Sequence, residues 1–231
     1  KNIKEEFEDY TFNHRVLVKG CHTDRDRLLV AVPREGSDDK SFYPSLLSTV
    51  LEKASQNFVK ESCCRMIIKF FGPAAQQGDE DPENLAEKIE FINMVELLMS
   101  IARRTKQFGP KLTAMSIMAL VNMCNYNEDI KPFPAEVGFD FIKQLLTEST
   151  DDDILLNTLR LLMTNVKPKA DDAVQHVKAF IEDNSGKASM TGRIIYMIKH
   201  GPGIWYTDFN PQINYLLISL LRIFLQSTSD P

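Results

Sequence analysis

The chain has 231 residues, 43% of them hydrophobic and 26% charged, enough to bury one elongated core or two small ones. A formal net charge of −5 argues against a dedicated nucleic-acid binder, whose affinity rests on clustered Lys and Arg. No stretch approaches the roughly 18 apolar residues of a membrane span, and no signal-like segment opens the chain. Cys21, Cys63, Cys64 and Cys124 sit in apolar surroundings without disulfide spacing, and no Asn-x-Ser/Thr site occurs. Both features point to reduced thiols in a cytoplasmic protein.

Residues 1–19 begin charged and turn apolar around Phe12 and Val16–Val18, which predicts a first helix near 4–19, ended by Gly20. Leu28–Val32 is a short β-branched run stopped by Pro33. With no partner strand evident it reads as a helix end. Tyr43-Pro44-Ser45 then starts a helix with Leu46, Leu47, Val50 and Leu51 on one face. Val59–Phe71 is a further buried helix, closed by Gly72-Pro73. Residues 72–86 carry Gly, Pro and acidic residues and read as a solvated acidic loop.

Ile89–Ala102 places Ile89, Ile92, Val95, Leu98, Met99 and Ala102 at helical spacing. Arg103–Phe108 is a basic exit, and Gly109-Pro110 a break. Lys111–Cys124 is apolar nearly all round, the mark of a helix enclosed on several sides. In the next unit Gly138 opens a short apolar helix, Phe139–Leu146. A polar turn follows, and Ile154–Val166 forms a longer helix whose acidic start is Asp151-Asp152-Asp153. Helices are also expected over Asp171–Ile181, Met190–Lys199 and Ile213–Leu225, the last one buried. The total is roughly ten helices in a single all-α domain, with residues 1–42 as an atypical cap.

Residues 111–123 superpose on 154–166 at an offset of 43, setting Met118 on Leu161 and Asn122 on Asn165. A helical unit of that length fits a stacked repeat, which cannot bury its apolar faces alone. Residues 138–166 and, with a different turn, 89–124 resemble the armadillo and HEAT repeats. The resemblance implies an α-solenoid, a right-handed superhelix of stacked helices, with a groove lined by the third helix of each repeat. An Asn there holds a peptide backbone, the place of Asn122 and Asn165. The Trp that accompanies it in nuclear-signal binders is replaced by Met118 and Leu161, which favours an apolar or amphipathic ligand. Met115, Thr158, Tyr126 and Lys169 extend the same face by spacing. Trp205, beside Tyr206 in a Gly-Pro-Gly loop, is either a binding hot spot or a packing anchor. Met94, Met99, Met115, Met118 and Met123 read alternatively as core filler.

Chemistry is hard to find. His14, Cys21 and His22 lack a paired metal-ligand spacing, so no metal or other cofactor is expected. Ser185-Gly186-Lys187 lacks the upstream Gly and strand of a phosphate loop, and His176 and His200 have no nucleophile set beside them. These readings describe a non-enzymatic scaffold or adaptor that binds a peptide or partner protein, with a homo-oligomer left open. Two other classes compete. One is a HEAT-type RNA or translation module using Arg103, Arg104, Lys106, Lys111, Lys167 and Lys169. The other is a regulator of tubulin or actin, by analogy of fold.

Overall fold

A computed structural model of the chain describes residues 28–29, 31–33, 42–72, 85–126, 135–166, 190–200 and 210–229. The helices expected over 4–19 and 171–181, the acidic loop between 73 and 84 and the Trp205 loop lie outside them. The described residues form an all-α fold of eight helices. They are α1 (Leu46–Lys53), α2 (Asn57–Phe70), α3 (Leu85–Ala102), α4 (Thr105–Tyr126), α5 (Ala135–Glu148), α6 (Asp152–Val166), α7 (Met190–His200) and α8 (Pro211–Ser229). One small correction concerns Leu28–Val32. Leu28 and Leu29 are helical, but β1 (Val32–Pro33) pairs antiparallel with β2 (Phe42–Tyr43), setting Val32 opposite Tyr43. A two-residue bridge has an open edge on each side, so Pro33 fits without a lost ladder bond.

Local chemistry fixes the helix ends. Ser45 accepts from the Ser48 amide at 3.2 Å and caps α1, and Asp151 accepts from the Ile154 amide at 3.0 Å and caps α6. The break expected at Gly109-Pro110 is present: Gly109 has φ 80° and ψ 163°, dividing one helical turn, Thr105–Phe108, from the long helix after it. Gly138 lies inside α5, which begins at Ala135, and so does not open that helix.

At its C-terminus α1 leaves carbonyls without intrahelical donors. Lys60, on the buried face of α2, supplies them: its Nζ donates to the Leu51 carbonyl and, at 3.3 Å, to that of Glu52. Lys60 is only 5% exposed. Burial, then the nearby Arg104 charge, holds its pKa below the usual lysine range.

A single cluster of buried side chains runs from Leu47 in α1 to Leu220 in α8, to which α4 and α6 give most of their surface. Cys63, Cys64 and Ile67 face it from α2, and Val95, Leu98, Met99 and Ala102 from α3. Ile92, expected on that α3 face, is exposed. In α8 the buried line is Ile213, Leu217 and Leu220. Tyr215, Ile218 and Leu225 on its far side face solvent, so this helix is not buried all round.

The helices pack as successive neighbours: α1 on α2, α3 on α4, α5 on α6 and α7 on α8. The second helices also pack on one another in a row, α2–α4–α6–α8. Hydrogen bonds and an ion pair set the direction of that row. Asn57, Glu61 and Ile68 of α2 meet Phe108, Lys111 and Asn122 of α4, in rising order. Ala114 and Asn125 of α4 meet Asn157 and Thr164 of α6 in the same order. Thus α2, α4 and α6 run parallel.

Two measurements test this account. Gly109→Ala puts a side chain at a left-handed backbone position with nothing within 4 Å of its Cβ, so the loss is purely conformational. Urea unfolding should show a loss of about 1–3 kcal/mol, because φ 80° with ψ 163° is a conformation essentially confined to glycine. The second concerns thiols. Burial pushes Cys64 up to about 12 from 9.0, while in the unfolded chain it ionises normally. Above pH 9 the unfolded state therefore binds fewer protons than the folded state, and stability falls as pH rises, by about 1.4 kcal/mol per pH unit. Lys60, held below its ordinary value by burial, titrates with the opposite sign. The expected signal is therefore the wild-type minus Cys64→Ala difference in unfolding free energy, which should decline steadily between pH 9 and 11.

Candidate partner-binding face

Solvent reaches α4 along one narrow stripe. Lys111, Met115, Met118, Asn122 and Asn125 lie on it, at alternating spacings of four and three. Every other side of the helix after Lys111 is closed: Leu112, Ile117, Ala119, Leu120 and Met123 are fully buried. The stripe lies between two neighbours. Toward α2, Lys111 Nζ is 2.5 Å from Glu61 Oε2, and Asn122 Nδ2 donates to the Ile68 carbonyl at 2.8 Å. Toward α6, Asn157 Nδ2 donates to the Ala114 carbonyl at 3.4 Å, and Thr164 Oγ1 is 3.5 Å from Asn125 Oδ1.

The structure thus brings Met115, Met118 and Asn122 together on an open surface. It also divides the methionines. Met94, Met99 and Met123 are buried as core, Met115 is half-buried, and Met118 is 37% exposed.

For Thr158 and Leu161 the structure is a correction. Both side chains are fully buried, and Thr158 Oγ1 donates to the Ile154 carbonyl of its own helix at 2.7 Å. Neither lines an open face. The stripe that α6 turns outward is Asp153, Asn157, Arg160 and Thr164, of which Asn157 is nearly covered. The superposition of 111–123 on 154–166 is therefore one residue out of register: Arg160, not Leu161, takes the position of Met118. The leucines at 155, 156, 159, 161 and 162 allow either rotation of α6 by hydropathy alone. Tyr126 and Asn165 are helical at the ends of α4 and α6, but their side chains, with Lys169 and Trp205, lie outside the described residues.

Asn122 has a structural duty that its sequence position did not reveal. Ile68 is in the last turn of α2, where carbonyls lack intrahelical donors, and the Asn122 amide satisfies one of them. Gly72 keeps this corner open: a Cβ there would lie 3.0 Å from the Ile68 carbonyl and 3.8 Å from Asn122 Nδ2. The second amide hydrogen and Oδ1 of Asn122 remain for other bonds.

The open stripes of the parallel helices share one side of the row. In α4 and again in α6 the stripe lies between the edge touching the preceding helix and the edge touching the next. Parallel helices with the same order of edges open the same way. In α2 the corresponding surface carries Phe58, Arg65 and Lys69, all exposed. On α8, Gln212 accepts from Arg160 Nη2 at 3.3 Å, and Tyr215, 71% exposed, and Arg222 lie beyond it. The sequence reading missed Arg65, Lys69, Arg160, Tyr215 and Arg222. Their signal was the polar side of each amphipathic helix, overlooked in favour of a match between apolar positions.

In the basic corner proposed for RNA, Arg103, Arg104 and Lys111 make structural contacts, Lys106 is exposed, and Lys167 and Lys169 lie outside the described residues. Arg103 lies over the Phe141 ring at 5.5 Å and Arg104 over Phe108 at 5.1 Å. Arg104 also donates to the Ser100 carbonyl at 3.0 Å and Ser100 Oγ at 2.7 Å. Lys111 pairs with Glu61. Among the described residues no three His, Cys, Asp or Glu side chains cluster as metal ligands, and no helix is long and apolar enough to cross a membrane.

No protein-family model, curated protein or solved structure matches the chain.

The bond from Asn122 to α2 yields an ordered series. Asn122→Ala should lower the unfolding free energy by about 1 kcal/mol. Asn122→Asp should lower it further, because a carboxylate cannot donate to the Ile68 carbonyl and repels it. Chemical denaturation of the three proteins at pH 7 checks the order.

Proposed function

We propose that the chain is a non-enzymatic scaffold of the cytoplasm, an armadillo- or HEAT-like α-solenoid that holds a peptide or partner protein across the open face of its long-helix row. The observation that carries this is the stripe on α4. A helix closed on every other side leaves Met118 and Met115 in reach of solvent, flanked by the amides of Asn122 and Asn125. Methionine adapts its shape to a ligand, and amides can both donate to and accept from a peptide backbone.

The solenoid reading is supported by the order of the helices. Four pairs follow one another, and α2, α4 and α6 stack in parallel, as equivalent helices of successive repeats do. Such an array gains its stability from neighbour contacts and leaves a long continuous face for binding. Free thiols at Cys63, Cys64 and Cys124 suit a reducing compartment.

Photo-crosslinking in cells tests the face directly. A benzoylphenylalanine is placed at Met118 or Arg160 on the open face, or at Glu96 or Asp140 on the layer of first helices. The first two positions should yield adducts with the same protein, and the last two should not. Equal labelling from both layers, or no adduct from Met118 and Arg160, would sink the proposal.

A further inference from the structure

The charge of the open face differs in sign from that of the chain. The whole sequence carries −5, yet each helix of the row turns at least one cation outward: Arg65 and Lys69 on α2, Lys111 on α4, Arg160 on α6 and Arg222 on α8. The acids on this face are Glu61 and Asp153. Glu61 is already shared between Arg65, at 3.6 Å, and Lys111, at 2.5 Å. Among the described residues the exposed acids collect instead on the layer of first helices, at Glu52, Glu96, Asp140 and Glu148, where they outnumber the exposed Lys53 and Lys199.

From this asymmetry, and resting on the scaffold reading above, we infer that the partner is an acidic protein segment with interspersed apolar side chains. Neighbouring helices lie about 8–10 Å apart, so the cations recur about once per helix across the row. That spacing suits carboxylates distributed along a peptide. It is sparse for a phosphate backbone, whose binding requires dense Lys and Arg contacts. Apolar groups stand between the cations: Phe58 is 63% exposed, Met118 37% and Tyr215 71%. A nucleic-acid duplex would leave these uncovered, and unpaired bases would find rings to stack on at Phe58 and Tyr215 but none on the open stripes of α4 and α6, whereas Leu, Phe or Met side chains of a peptide would bury all three. Exposed ion pairs contribute little individually, so they act mainly by selecting the sign of the partner, while the apolar groups supply affinity.

The test is selection from a phage-displayed library of random peptides on the full 231-residue chain. Met118→Arg, which blocks the face, serves as the counter-selection. Peptides that depend on Met118 should carry net negative charge and apolar residues. As synthetic peptides they should bind at least about tenfold more weakly to Lys69→Glu/Arg160→Glu/Arg222→Glu, and bind more weakly as sodium chloride rises. Lys53→Glu/Lys199→Glu, on the other layer, should bind them as the wild type does. Melting temperatures check that each variant is folded. Met118-dependent peptides that are neutral or basic would overturn the inference and leave the scaffold reading standing. So would a random RNA pool that binds more tightly than the acidic peptides and is released by the triple reversal. If no peptide depends on Met118, both readings fall.

Discussion

The helix that follows Pro110 buries Leu112, Ile117, Ala119, Leu120 and Met123 completely, with Ala114 and Val121 nearly so, and together these residues cover well over half of its circumference. A helix of that kind cannot be satisfied by one neighbour. It has to be enclosed, and here α2, α3 and α6 enclose it. The enclosure accounts for the row of long helices and the narrowness of the one stripe left open. Gly109 belongs to the same constraint. Its positive φ lets the chain leave the Thr105–Phe108 turn and start a helix in the direction the neighbours require.

Apolar burial does not by itself fix the register between parallel helices, because a leucine-rich surface can slide or rotate at small cost. Polar groups at the contacts supply the register. Asn122 satisfies a carbonyl at the end of α2, Asn157 reaches the Ala114 carbonyl, and Lys60 closes the end of α1 from within the core. Each leaves a buried donor or acceptor unpaired if the helices slip, a loss of roughly 1–3 kcal/mol per group. Lys60 is the extreme case: a charge kept in an apolar surrounding because it meets two carbonyls of a helix C-terminus, where positive charge is favoured.

The same enclosure separates the surface into two characters. Among the described residues the first helices of the pairs carry most of the exposed acids, and the second helices carry cations interleaved with methionine and aromatic groups. The proposed binding role rests on this division. A scaffold needs a rigid surface of defined shape and charge, and the burial that holds α4 in place supplies the rigidity beneath Met118.

Much of this was legible in the sequence. Periodicity placed the eight described helices to within a few residues, Gly109-Pro110 placed the break, the acidic run placed the start of α6, and the all-round apolar character of 111–124 placed that helix among several neighbours. Met115, Met118 and Asn122 were legible as one stripe because they share a helix, and spacing within one helix is set by 3.6 residues per turn. What only the tertiary structure decided was the rotation of one helix against the next. Thr158 and Leu161 turn inward and Arg160 outward where α6 packs on α4, with Asn157 against the Ala114 carbonyl 43 residues away. The bond from Asn122 to the Ile68 carbonyl, 54 residues away, was hidden for the same reason. Helical periodicity fixes which residues of one helix lie together. It contains nothing about the angle at which two helices meet, which long-range packing and a few buried polar contacts determine.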